Sequence, residues 1–281
     1  MTAPATLLRD GLTLHLDSGG SGAPVMFQHG LGGDRRQTAA VFPEDAGNRF
    51  TLECRAHGSS EAGDPSRFSI ATFADDVAAA VEATGLAPLV VGGISMGAAI
   101  AVRLAVRRPD LVRALILVRP AWVAAAAPPS MSPNAEVGEL LSRFPPSAAH
   151  AAFLRGDTAR RLATESPDNL ASLEGFFSRP APATVAALLQ RVSADGPGVT
   201  EDDIRAIAVP TLVVGCARDA VHPWAMACAL ADHIGGASLV KVTPKSDDGA
   251  RYADEVRRTI RRFLESQSVS NVADQATGGC R

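Results

Sequence analysis

Leu89-Val90-Val91-Gly92-Gly93-Ile94-Ser95-Met96-Gly97-Ala98-Ala99-Ile100 decides how the rest of the chain is read. It opens as a valine-rich apolar run, the pattern of a buried strand, and resumes after Ser95 as an alanine-rich run with helical spacing. Between the two, Gly93-x-Ser95-x-Gly97 has the form of a nucleophile elbow. The glycines have a physical reason. A serine on a sharp strand-to-helix turn holds a strained backbone angle, and a Cβ two residues to either side would meet the neighbouring strand or helix. The hydroxyl is then presented at a helix N-terminus, where free N–H groups and the helix dipole favour developing negative charge. A tight turn with an idle hydroxyl would use the same residues; the order strand, turn, helix makes the pattern specific.

Working outward, the chain alternates. Leu12 to Leu16 alternates apolar and polar and reads as an edge strand, and Pro24 to Gln28 as a short apolar strand that runs into His29-Gly30-Leu31-Gly32-Gly33-Asp34. A glycine-rich loop after a strand lets backbone N–H groups approach a ligand and face an oxyanion, although a flexible turn has the same composition. It is no phosphate loop, since neither G-x-G-x-x-G nor a following Lys-Ser/Thr is present. Residues 49–53 form another strand; Ile70, Phe73, Val77 and Val81 then recur at helical spacing, and Gly85 ends that helix. After the elbow helix comes the apolar strand Val112 to Val118. Continuous apolar strands alternating with helices predict an α/β fold: a mostly parallel sheet with helices on both faces.

The alternation stops at residue 121. From there to about 206 no strand pattern exists, and prolines punctuate short helical pieces at 137–143, 170–177 and 184–192. An all-helical insert between two sheet strands reads as a cap. Its aromatics, Trp122, Phe144, Phe153, Phe176 and Phe177, suit either a pocket wall or, more commonly, the cap's own core. The sheet resumes at 209–215 and is followed by the loop Cys216-Ala217-Arg218-Asp219-Ala220-Val221-His222-Pro223, a helix from Trp224 to His233, a strand at 238–242 and a last helix with Val256, Ile260, Phe263 and Leu264 on one face. The expected organisation is a core of residues 1–120 and 207–265, a helical cap of 121–206, and a small, polar, disordered tail of 266–281.

Composition narrows the function. With 281 residues, 46% of them apolar, one domain plus an insertion fits. A net charge of -3 and the lack of a basic stripe argue against a nucleic-acid partner. No run of about eighteen apolar residues exists, so no membrane span is expected. The first thirty residues lack the basic start and apolar stretch of a signal peptide, and the four widely spaced cysteines make neither a metal-ligand pair nor a disulfide framework. The expectation is a cytoplasmic protein acting on a small-molecule substrate with no metal and no cofactor; the oligomeric state stays open.

Taken together, these motifs resemble the α/β-hydrolase fold family, in its lidded esterase-like branch, over nearly all of residues 12–265. His29 to Asp34 is similar to that family's oxyanion loop, Arg55-Ala56-His57-Gly58-x-Ser60 to the turn after the next strand (with Ala56 where glycine is usual), Gly93 to Gly97 to the elbow, and Gly215 to Pro223 to the acid loop. The resemblance implies Ser95 as nucleophile, the backbone N–H groups of Leu31 and Met96 as the oxyanion hole with His29 and Gly30 in the binding loop, and Asp219 as the acid that orients a histidine. It says little about substrate beyond a small ester, thioester or lactone.

The resemblance also implies a histidine after the last strand, and none is there. Thr243-Pro244-Lys245-Ser246-Asp247-Asp248-Gly249 fills that loop, and no histidine follows His233. Three arrangements are compatible with the sequence. A different histidine serves, His222 being the nearest candidate, although Val-His-Pro is also an ordinary way to begin a helix. Or Lys245, Asp247, Asp248 or the substrate itself takes the proton. Or Ser95 makes no covalent bond, and the protein is a cyclase, a lyase or a small-molecule binding protein.

Overall fold

A computed structural model describes residues 5–277, with side chains to Gln267. Eight strands form one sheet: β1 (Thr6–Arg9), β2 (Leu12–Gly20), β3 (Pro24–Gln28), β4 (Asn48–Leu52), β5 (Leu89–Ile94), β6 (Val112–Val118), β7 (Thr211–Gly215) and β8 (Ser238–Lys241). Their order is β1-β2-β4-β3-β5-β6-β7-β8. β1 and β2 are antiparallel to their neighbours, and every pair from β4 to β8 is parallel. The central strands β5 and β6 are buried almost throughout, which explains why β5 reads as an unbroken apolar run and β6 as one interrupted by Arg113 alone. β1 was not legible as a strand, because a four-residue edge with half its side chains exposed carries almost no apolar pattern.

The period-two rule divides the core. Val25 and Phe27 on β3 point to one face of the sheet with Val90, Ile116, Val256 and Ile260, while Met26 points to the other with Phe73, Val77, Val91 and Ile100. Each such fully buried side chain contributes about 1.5–3 kcal/mol. The helices of the sheet region are α1 (Arg35–Ala39), α2 (Ile70–Thr84) and α3 (Met96–Arg107). Ser69 caps α2 by accepting from the Thr72 N–H, and Gly85 ends it at φ 67°, a left-handed position that suits glycine.

Between β6 and β7 the chain is helical only: α4 (Ser132–Arg143), α5 (Pro146–Arg155), α6 (Asp157–Glu165), α7 (Pro167–Glu174), α8 (Pro182–Ser193) and α9 (Glu201–Arg205). These helices have their own core of Val137, Phe153, Leu162, Phe176, Phe177 and Leu189. Trp122 belongs instead to the sheet core and donates from Nε1 to the Asp195 carbonyl at 2.8 Å, and Phe144 is exposed. After β7 come α10 (Trp224–His233) and α11 (Gly249–Thr277).

The last helix corrects one expectation. In place of a disordered tail from 266, α11 continues to Thr277. Between 266 and 277 there is neither glycine nor proline, so nothing local ends the helix before Gly278-Gly279. Residues 278–281 of the expected tail lie outside the described residues. No helix among the described residues is long and apolar enough to cross a membrane.

Candidate active site

Ser95 sits between β5 and α3 at φ 56°, ψ -110°, a conformation a non-glycine residue holds only under constraint. The constraint is visible. Its N–H donates to the Val118 carbonyl of β6 at 2.9 Å, and its carbonyl accepts from Ala98 at 3.0 Å as α3 begins. A Cβ on Gly93 would lie 2.5 Å from the Gln28 carbonyl oxygen, and one on Gly97 would lie 2.4 Å from the same atom. The elbow glycines are therefore space for β3, as the sequence pattern requires. Gly97→Ala should lower stability by about 1–3 kcal/mol, because the obstacle is backbone and cannot swing away; a urea unfolding midpoint equal to that of the unchanged protein would contradict it.

The loop after β3 is fixed one amide at a time. The Gly30 N–H donates to Gln37 Oε1 at 2.7 Å, the Gly32 N–H to His57 Nε2 at 2.9 Å, and the Gly33 N–H to the Gly30 carbonyl at 2.8 Å. Among the described residues, the Leu31 N–H alone of these four has no partner. Met96, as the first residue of α3, likewise has no carbonyl one helical turn behind it. His29 does not line the cavity: it is fully buried, accepts from the Cys54 N–H at Nε2 (3.0 Å) and donates from Nδ1 to the Gly30 carbonyl (2.8 Å). Its place is behind the loop, a correction to its expected binding position, because a histidine at the very end of a buried strand points inward with the strand. His57 lies against it, ring centroids 4.7 Å apart, and donates from Nδ1 to the Arg55 carbonyl. Burial pushes both imidazoles below their ordinary range, and the neutral rings can then accept from the two amides.

Opposite this loop, the segment between β7 and α10 brings Asp219 and His222 to Ser95. His222 Nε2 is 2.8 Å from Ser95 Oγ, and its Nδ1 is 2.9 Å from Asp219 Oδ1. The same Oδ1 accepts the His222 backbone N–H at 3.0 Å, so one carboxylate oxygen holds both ends of the residue. With Nδ1–H donated to the carboxylate, Nε2 is left to accept from the serine hydroxyl. Burial by itself would raise the Asp219 carboxyl, but the neighbouring His222 and Arg119 charges and the His222 hydrogen bonds hold it well below the usual carboxylate range.

Several partners in this arrangement were not read from the sequence. Arg119, at φ 47° directly after β6, donates from Nε to Asp219 Oδ2 at 2.5 Å and from Nη2 to Asp168 Oδ2 at 3.1 Å. Asn169 Oδ1 accepts from the Ala220 and Val221 N–H groups at 2.9 and 3.0 Å, and Ser166 Oγ from Ala220 at 3.0 Å. The start of α7 thus grips the two residues that precede His222. Arg119 did leave a trace in the sequence, a lone charge at the C-terminal end of an apolar strand, where sheets of this kind place ligands.

Of the residues weighed as substitutes for a missing histidine, the two aspartates lie elsewhere. Asp247 pairs with Arg218 at 2.6 Å, and Asp248 accepts the Arg251 N–H at the start of α11. Neither lines the cavity of about 340 Å³ in front of Ser95; Lys245 does, together with Leu31, Arg119, Asn134, Asn169, Phe176, Arg179 and His222. Among the described residues, no group of three His, Cys, Asp or Glu side chains could hold a metal ion.

A profile of the family described as alpha/beta hydrolase fold matches residues 23–247. The chain is 26% identical over 260 residues to a Rhizobium rhizogenes protein provisionally named carbamate hydrolase RutD, across 87% of this chain and 93% of that one. It is 28% identical over 243 residues to 2-hydroxymuconate semialdehyde hydrolase of a Pseudomonas species, across 83% of each. Among solved structures, one described as an N-acyl homoserine lactone degrading enzyme matches with a TM-score of 0.67 and 25% identity, over 92% of this chain and 99% of that one.

Proposed function

Because the chain belongs to the alpha/beta hydrolase fold family, we propose that it hydrolyses a small ester, thioester or lactone, with Ser95 as nucleophile, His222 as general base and Asp219 as the orienting acid. The observation that carries this is the continuous chain Ser95 Oγ, His222 Nε2, His222 Nδ1, Asp219 Oδ1, with links of 2.8 and 2.9 Å. The histidine that the family pattern leads one to expect after β8 is absent; here base and acid come from one loop, three positions apart.

The chemistry follows from the geometry. His222 Nε2 takes the Ser95 proton as Oγ attacks the carbonyl carbon, and Asp219 stabilises the imidazolium that forms. The negative oxygen of the tetrahedral intermediate is received by the Leu31 and Met96 amides, which have no competing acceptor in their own elements. His222 then protonates the departing oxygen or sulfur, leaving an acyl group on Ser95. Water, activated by the same imidazole, releases the acid. The helical segment 121–206 serves as a cap that closes the cavity and steadies the Asp219–His222 loop through Ser166 and Asn169.

Mixing the protein with p-nitrophenyl esters should give a burst of nitrophenol equal to the enzyme concentration, and a serine-directed phosphonate should add once, at Ser95. Both should vanish in Ser95→Ala. Ester turnover that survives in Ser95→Ala, or the lack of any phosphonate adduct on the unchanged protein, would remove the covalent mechanism.

A further inference from the structure

The cavity wall has a one-sided charge. Arg119, Arg179 and Lys245 line it, and among the described residues no aspartate or glutamate does. The cations differ in what they already hold. Arg119 is committed to Asp219 and Asp168, and Lys245 is exposed to solvent.

Arg179 is half-buried, with no carboxylate within ion-pair distance among the described residues. One of its nitrogens donates to the Gly32 carbonyl, and its guanidinium lies over the Phe176 ring, 4.7 Å from the centroid. The remaining N–H groups have no partner among the described residues, and desolvation lowers its affinity for a proton, an effect that the more distant charge of Asp34 opposes. Asn134 lines the same cavity, but its unpartnered buried atom is Oδ1, an acceptor that calls for an N–H or O–H donor and not for an anion.

We propose that Arg179 recognises a free carboxylate on the substrate, so that the ester, thioester or lactone hydrolysed at Ser95 carries a second, unesterified acid group. The guanidinium supplies the planar pair of N–H donors that a carboxylate needs, and a small, partly desolvated cavity strengthens the pairing. Arg179 comes from the segment between α7 and α8 and also holds the Gly32 carbonyl, so an anion bound there ties the cap to the loop that carries the Leu31 amide. Binding energy from a remote part of the substrate would then help to fix the oxyanion donors. The assignment of this group to a substrate rests on the hydrolysis proposed above.

The test compares mono-p-nitrophenyl glutarate with p-nitrophenyl hexanoate, acyl chains of similar length that differ in the terminal acid. The anionic ester should have the higher kcat/KM by about 10- to 100-fold, and Arg179→Gln should shrink that ratio. Separately, glutarate alone should bind Ser95→Ala protein by calorimetry, more weakly after Arg179→Gln is added, with the neutral pentanediamide not binding measurably. If Arg179→Gln fails to fold, Arg179→Lys carries the comparison. Ser95-dependent hydrolysis that favours the hexanoate overturns the carboxylate site and leaves the hydrolase standing. Glutarate binding through Arg179 with no Ser95-dependent hydrolysis of either ester does the reverse. Glutarate that neither binds nor is favoured as an ester overturns the proposal.

Discussion

His222→Gln should reduce kcat for a p-nitrophenyl ester by about 10⁴- to 10⁶-fold, with little change in KM. The size of the loss follows from what His222 does in the proposed mechanism: it is base in the first half of the reaction and acid in the second, and among the described residues it is the one titratable side chain hydrogen-bonded to the Ser95 hydroxyl. Glutamine keeps the volume and a polar end but cannot carry the proton. Some activity over water should persist, because the Leu31 and Met96 amides and the cavity are untouched. Phosphonate labelling of Ser95 should slow in parallel, since the same base frees Oγ to attack phosphorus. Near-normal turnover in this variant would pass the role to Lys245, the other proton carrier on the cavity wall that the sequence left in contention.

That contention shows what the chain discloses by itself. Gly93 and Gly97 were legible because their requirement is local: each makes room for β3 within two residues of Ser95. The strands from β3 to β7 were legible because burial on both faces keeps them largely apolar, least so in β4, where Asn48, Arg49 and Thr51 interrupt the run. His222 and Ser95 are separated by 127 positions, and no periodicity connects them. The three-residue spacing of Asp219 and His222 was visible, but a helix beginning at His-Pro produces it equally well; only the turn that lets one carboxylate oxygen hold both the backbone and the ring of His222 distinguishes the two. Asn169 was hidden more deeply. An asparagine near the start of a helix ordinarily satisfies its own backbone, whereas here it serves the N–H groups of residues more than fifty positions away.

Arg119→Met should destabilise the fold by about 3–5 kcal/mol, a large share of the roughly 5–15 kcal/mol by which a domain of this kind is stable. Arg119, Asp219 and Asp168 are all nearly excluded from water, and the one guanidinium answers both carboxylates. Methionine fills the space but leaves Asp168 with no cation and Asp219 with His222 alone. The pH dependence should move as well, in a direction fixed by sign. Asp219 titrates below its ordinary range in the folded protein, so its contribution is complete above the unfolded value of about 4 and is lost only as pH falls through the lower, folded one. Without Arg119, burial gains over attraction, the folded value rises, and the acid unfolding midpoint should shift to higher pH. Adding Asp168→Asn to Arg119→Met should recover part of the stability, because it removes one of the two stranded charges. Urea unfolding at neutral pH and an acid titration followed by circular dichroism measure both effects. An unchanged acid midpoint in Arg119→Met would mean that His222 alone holds Asp219 ionised, and that the arginine spans two carboxylates without stabilising either.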